Sequence, residues 1–164
     1  MRKIMLIALF WGTAAAQNAY EQGLAAIEQK NYEEALKHLS AAVKENPKNT
    51  QAYYYRAEVF VNLLEYHSAL EDYDNAIKLG PENASFYNKR CFAHYVLFDN
   101  TKALNDCNRA IELNPNLSEA YYNRALVYKE IGDINKAESD ARAACHFGDC
   151  DVLEQLKEEK LVNK

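Results

Sequence analysis

The sequence has little of what bends a chain: five glycines and three prolines in 164 residues. That scarcity disfavours an all-β sandwich or barrel, in which each strand reversal tends to consume one of these residues, and favours long helices with short connections. Excess positive charge is missing too. With 24 acidic against 19 basic side chains, a formal charge of -5, the chain lacks the basic footprint that nucleic-acid phosphates demand. No apolar run reaches the roughly twenty residues that cross a bilayer, so stable membrane insertion is not expected. The sequence also lacks a Gly-rich phosphate loop, a Gly-x-Gly pair and a His-Glu-x-x-His. Its four histidines are scattered. His38 and His67 read as solvated, and His94 falls in a packing column with Ala26, Phe60 and Tyr128. The expectation is therefore no catalytic set, no cofactor and no metal site.

Methionine and tryptophan are confined to the first eleven residues, as Met1, Met5 and Trp11. That segment has the three-part layout of a secretory signal peptide: Arg2 and Lys3, an apolar run over 4–11, then small residues closing in an Ala-x-Ala pattern. Cleavage is expected after Ala16. The exported chain, periplasmic or secreted, would begin at Gln17 and carry neither Met nor Trp. A buried first helix or a membrane anchor is the alternative.

What the chain has in plenty is self-similarity. Pro47, Pro81 and Pro115 stand 34 residues apart, and the same step links Tyr53, Tyr87 and Tyr121, then Arg56, Arg90 and Arg124. Two columns are pure alanine (Ala35, Ala69, Ala103, Ala137 and Ala42, Ala76, Ala110, Ala144). A third is small throughout: Gly23, Ala57, Cys91, Ala125. A period of this length marks a stack of like units. Small residues allow two helix backbones to approach, so each unit reads as a first helix (52–64, for example) and a second (67–79) running back antiparallel. Proline follows each second helix because it cannot continue one.

In these columns, and above all in Ala120-Tyr121-Tyr122-Asn123-Arg124-Ala125 and Ala110-Ile111-Glu112-Leu113-Asn114-Pro115, the sequence resembles the tetratricopeptide repeat family. The resemblance covers Gln17 to about Asp149 as four units: 17–49, 50–83, 84–117 and 118–149. The first unit has Ala19 and Gln22 where the others have Tyr and Arg, and the fourth has Asp149 in place of proline. Residues 150–164 read as a capping helix, with Asp151 as an acidic N-cap, Glu154 three residues on, then Leu156 and Leu161. The fold expected is an all-α right-handed superhelical solenoid of four helix-turn-helix units plus that cap, with residues 1–16 removed.

The resemblance further implies a concave groove lined by the first helices, where partner segments bind. Its residues here are Tyr20 and Leu24 in the first unit, then Tyr54, Tyr55 and Glu58. They continue with Asn88, Lys89, Phe92 and Tyr95, and end with Tyr122, Asn123 and Leu126. Several of these tyrosines match aromatics of the family consensus and are equally read as packing between units. Tyr55 and Phe92 stand where polar residues are usual, and rigid aromatics make good contact points. Asn88 and Asn123 are candidates to bond the backbone of a bound peptide. The two-carboxylate clamp by which some cochaperones of this family grip a chain terminus is absent in either frame. With Glu21 and Glu58 in the groove, a neutral to basic protein segment is the partner expected.

Four cysteines are an even number in a chain expected to be exported. Cys91 and Cys107 lie on the two helices of one hairpin, which can bring them together; a disulfide and two buried free thiols are both open. Cys145 and Cys150 are expected to form a staple between last repeat and cap, because Gly148 can turn the chain. Three ligands at no standard spacing make Cys145, His146 and Cys150 a poor metal site. The leading expectation is an exported, non-catalytic interaction module or scaffold. Self-association with the groove unused, or a cytosolic cochaperone, are the alternatives.

Overall fold

The computed structural model describes residues 18–159; the signal-like segment and Leu161 lie outside the described residues. Among these the chain is all helix. Four hairpins follow one another as α1 (Ala19–Glu28) with α2 (Tyr32–Glu45), α3 (Thr50–Asn62) with α4 (Tyr66–Leu79), α5 (Ala84–Val96) with α6 (Asn100–Leu113), and α7 (Ser118–Glu130) with α8 (Ile134–His146). A last helix, α9 (Asp151–Glu158), closes the described chain. Each second helix also packs on the first helix of the next hairpin, so the layers form a continuous helical solenoid.

The hairpin turns are built alike. In each, one residue after the first helix takes positive φ: Lys30 at 56°, Leu64 at 61°, Phe98 at 59° and Gly132 at 82°. The next amide then reaches back along the helix, as Asn31 N–H donates to the Ala26 carbonyl at 2.9 Å and Glu65 N–H to that of Phe60 at 2.8 Å. This is the Schellman arrangement, which satisfies carbonyls left over at the helix end. The same next residue starts the second helix; Asn31, Asp99 and Asp133 cap α2, α6 and α8 with side-chain oxygens. One residue thus ends one helix and opens another, which is why the turns are so short.

Within each hairpin, residues sixteen apart pack together across the two helices. Gly23 faces Leu39, and a Cβ on Gly23 would fall 2.7 Å from the Leu39 Cγ. In the second unit Ala57 and Tyr73 are both fully buried in one cluster. In the third the pair is Cys91 and Cys107, joined as a disulfide with Cα atoms 5.4 Å apart. The fourth has only Ala125 and Ala141, and there Val152 and Leu156 of α9 complete the cluster. The cap helix therefore supplies volume that the last hairpin lacks. Its entry differs from the sequence expectation: Cys150 holds the N-cap position without a side-chain cap bond, and Asp151 is the first helical residue. Cys150 is fixed instead by its disulfide to Cys145, closed over Gly148 at φ 106°. With both sulfurs bonded to each other, they are not available as metal ligands.

A polar ladder ties the units together. Arg56, Arg90 and Arg124 each make a two-pronged pair with an aspartate sixteen residues on: Asp72 at 2.7 and 2.7 Å, Asp106 at 2.7 and 2.6 Å, Asp140 at 2.7 and 2.8 Å. The remaining guanidinium nitrogen reaches sixteen residues back, to Ser40 (3.3 Å), Asp74 (2.6 Å) and Asn108 (2.6 Å) on the preceding unit. Tyr53, Tyr87 and Tyr121 stack beside their arginines at 5.6 to 5.8 Å. Burial opposes the charge on Arg90, yet the bonds to Asp106 and Asp74 carry its pKa upward. The aspartates Asp72, Asp106 and Asp140 form a 34-residue column of their own that sequence reading passed over.

Candidate functional site

The first helices α1, α3, α5 and α7 carry all twelve residues expected of the groove. Ten of these are half-buried, and Asn88 and Asn123 are buried. At the α1–α3 end an aromatic strip runs from Tyr20 to Tyr55 (ring centroids 6.2 Å apart), to Tyr54 (5.2 Å) and on to Phe86 (5.2 Å). These tyrosines pack on one another, so the packing role and the contact role coexist in the same rings. Leu24 lies half-buried on α1. Tyr95 packs on the cluster around the Cys91–Cys107 bond, and Leu126 with Tyr122 on the cluster completed by the cap helix.

At the α3–α5–α7 end the surface opens into a cavity of about 280 Å³. Six expected residues meet there: Glu58, Asn88, Lys89, Phe92, Tyr122 and Asn123. Val61, Tyr73, Glu119 and Asp149 complete the lining and were not anticipated. The two amides are linked to each other. Asn123 Nδ2 donates to Asn88 Oδ1 at 2.8 Å, and Asn88 Nδ2 donates to Glu119 Oε2 at 3.1 Å. Buried amides must be paired, and each of these two directs an N–H into the fold, Asn123 to Asn88 and Asn88 to Glu119. Glu58 is held in the same way from beneath, accepting from the hydroxyl of the fully buried Tyr73. Lys89 Nζ stands between the two glutamates, 3.8 Å from Glu58 and 3.9 Å from Glu119.

The phenols register this environment. Burial, and after it the Glu58 carboxylate, pushes Tyr54 and Tyr73 well above the ordinary tyrosine range. Burial followed by the charges of Asp149 and Asp151 raises Tyr122. All three stay neutral donors at any physiological pH. The histidines lie elsewhere. His94 is buried, with Nε2 3.8 Å from Asp106. His67 is exposed, but His38 is only half-exposed and bonds Glu34 at 2.9 Å, so it is less solvated than its sequence position suggests. Among the described residues no group of three or more His, Cys, Asp or Glu is placed to hold a metal ion.

The repeat register carries a signal for the cavity, at the expected Glu58 and Asn88 and at the unanticipated Asp149. Asn88 stands in the column of Tyr20, Tyr54 and Tyr122, Glu58 in that of Leu24, Phe92 and Leu126, and Asp149 in that of Pro47, Pro81 and Pro115. A polar residue breaks each column, and all three breaks meet at one place.

Known proteins place the fold. Two tetratricopeptide repeat models match residues 20–84 and 107–139, together more than half of the chain. The chain belongs to the tetratricopeptide repeat family. Among solved structures it resembles a thermophilic TPR protein in Thermus thermophilus, at 25% identity and TM-score 0.71, covering 80% of this chain and 74% of that one. The first TPR of Spaghetti, solved with an HSP90 peptide, is 25% identical with TM-score 0.67, covering 69% of this chain and 90% of that one. MamA shares the fold at 21% identity and TM-score 0.73, covering 77% of this chain and 74% of that one. No curated protein matches the sequence.

Proposed function

We propose that this protein is an exported, non-catalytic interaction module that holds a segment of another protein against its concave, first-helix face. The observation that carries the reading is the set of half-buried aromatic and polar side chains on α1, α3, α5 and α7, several of which line an open cavity. A structural neighbour binds a peptide, the HSP90 segment SRMEEVD. The acidic groove and the missing clamp of the present chain direct it toward neutral to basic segments instead. Export is supported by the signal-like start and by the two disulfides, which persist in oxidising compartments. No helix among the described residues is long and apolar enough to cross a membrane.

Partner capture with the exported protein, set beside a folded Tyr55→Ala/Phe92→Ala variant, tests the groove; equal recovery of every partner by both discredits it. Intact mass and N-terminal sequencing of exported material test processing, with Gln17 as the expected first residue. Self-association with the groove unused has one observation in its favour: Leu64 and Phe98 are 72% and 73% exposed at neighbouring turns. A monomer in sedimentation velocity at working concentration removes that reading.

A further inference from the structure

The cavity between α3, α5 and α7 is built for something more definite than a peptide in general. It exists because Asn88 replaces the large ring that Tyr20, Tyr54 and Tyr122 place at the same point of their units. The space so opened is walled by Phe92 and Tyr122 and carries three carboxylates, Glu58, Glu119 and Asp149, against one ammonium, Lys89. Two of the carboxylates are oriented from inside the protein: Glu58 by the hydroxyl of Tyr73, and Glu119 by the amide of Asn88, itself held by Asn123. Tyr73 is 0% and Asn88 1% exposed, so the supports are rigid. Lys89 does not neutralise the site. At 3.8 and 3.9 Å its nitrogen is too far for hydrogen bonds to either glutamate, and each carboxylate keeps an oxygen beyond the one that accepts from the fold.

An excess of held carboxylates beside aromatic rings, in a cavity roomy enough to admit a long side chain, is complementary to a cation on an apolar stem. Carboxylates accept two-pronged bonds from a guanidinium, and aromatic faces attract it further. We propose that this cavity takes the side chain of an arginine or lysine within the bound partner segment, its charged head between Glu58, Glu119 and Asp149 and its stem against Phe92 and Tyr122. The proposal rests on the reading that the concave face binds a segment, and it names the side chain that selects that segment. A neutral residue there would leave the carboxylates desolvated without a partner, and an acidic one would be repelled.

Three fluorescein-labelled pools of nonapeptides, random except for a central Arg, norleucine or Glu, test this by anisotropy with the oxidised full chain. One charge-assisted contact predicts that the arginine pool binds about tenfold tighter than the norleucine pool, and that the advantage shrinks with added salt. The Glu58→Gln/Glu119→Gln/Asp149→Asn variant removes the three charges, keeps a carbonyl oxygen to accept from Tyr73, Asn88 and the Asp151 amide, and should bring the two pools to parity. Asn88→Tyr, which refills the space as the neighbouring units do, should do the same. Equal binding of arginine and norleucine pools by the natural protein overturns the proposal while leaving the groove reading intact. Arginine preference that survives in the triple variant also overturns it. No binding of any pool overturns both.

Discussion

The arginine ladder and the cavity are made from the same repeating unit by opposite means. The ladder repeats faithfully: three arginines, three aspartates and three tyrosines recur at 34-residue steps with the same bonds. The cavity arises where the steps are broken, at Glu58, Asn88 and Asp149. In a solenoid each unit touches only its neighbours, so stability comes from terms repeated along the stack. A binding site needs singular residues in one place. Fidelity to the register therefore marks what holds the molecule together, and departure marks where it can discriminate.

That contrast fails if ladder residues prove dispensable for stability or cavity residues prove essential to it. The largest effect is expected from Arg90→Met, which leaves the Asp106 carboxylate 6% exposed and without its two-pronged partner. Removing one partner of a buried pair costs about 3–5 kcal/mol, read as a lowered denaturation midpoint. Replacing both partners, as in Arg90→Met/Asp106→Leu, should recover most of it, because no charge is then stranded. By contrast, Glu58→Gln/Glu119→Gln should change stability by less than about 1 kcal/mol, since the pairs with Lys89 are partly exposed and a glutamine oxygen still accepts from the Tyr73 hydroxyl and the Asn88 amide.

The disulfides come next and differ from each other. The Cys91–Cys107 bond closes the larger loop, with a sequence separation of 16 against 5 for Cys145–Cys150. In the chain-entropy view these are worth about 3 and about 2 kcal/mol respectively. Cys91→Ala/Cys107→Ala should lower the melting temperature more than Cys145→Ala/Cys150→Ala. The second pair has a separate consequence. It anchors the start of α9, whose Val152 and Leu156 fill the core of the fourth unit, so its loss should raise hydrogen exchange in α8 and α9 while leaving α3 and α4 unchanged. Uniform exchange across the chain would show that the cap is not a local device.

The period, the paired helices and the small-residue crossings were legible in the sequence because they depend on residue size at fixed spacing, which one chain displays four times. The ladder was only half legible. The arginine column stood out, but Asp72, Asp106 and Asp140 were lost among many acidic residues on helix faces; what singles them out is burial, and burial is a property of the packed hairpin. Both cysteine pairings depend on a crossing point and a turn that spacing alone left open for Cys91 and Cys107. At the groove, the sequence offers Asn88 and Asn123 as candidates to bond a peptide backbone but does not show that α5 and α7 approach closely enough for the two to bond each other. Tyr73 and Glu119 were missed for a related reason: one lies on a second helix and the other at the start of α7, and only the fold brings both to the cavity.

A smaller effect, of opposite sign, is expected at the hairpin turns. Leu64 and Phe98 hold φ of 61° and 59° in the position that Gly132 fills in the fourth unit. An L side chain there costs on the order of 1 kcal/mol, and glycine's looser unfolded state offsets part of the relief. Leu64→Gly and Phe98→Gly should each stabilise the protein by about 0.5–1 kcal/mol. A lowered midpoint would mean that these exposed side chains are covered in solution, which would favour self-association over the groove.

The smallest effect is the most searching for the contrast, because His94 is a register break on the ladder side. It stands in the column of Ala26, Phe60 and Tyr128, buried, with Asp106, Arg90, Asp99 and Lys102 as its charged neighbours. Burial first of all lowers its pKa below the ordinary 6.5, against the pull of Asp106. A histidine depressed in this way is neutral in both states above its unfolded pKa. As pH falls the unfolded chain takes the proton first, so the native state loses stability through the window below about 6.5. His94→Phe, which restores an aromatic to the column, should abolish that acid-side loss and leave peptide binding unaltered. If the natural protein instead gains stability on mild acidification relative to the variant, the Asp106 pair outweighs burial and His94 belongs to the ladder. If binding falls, a departure on this face also serves recognition, and the division between a faithful face that stabilises and a broken face that selects would have to be redrawn.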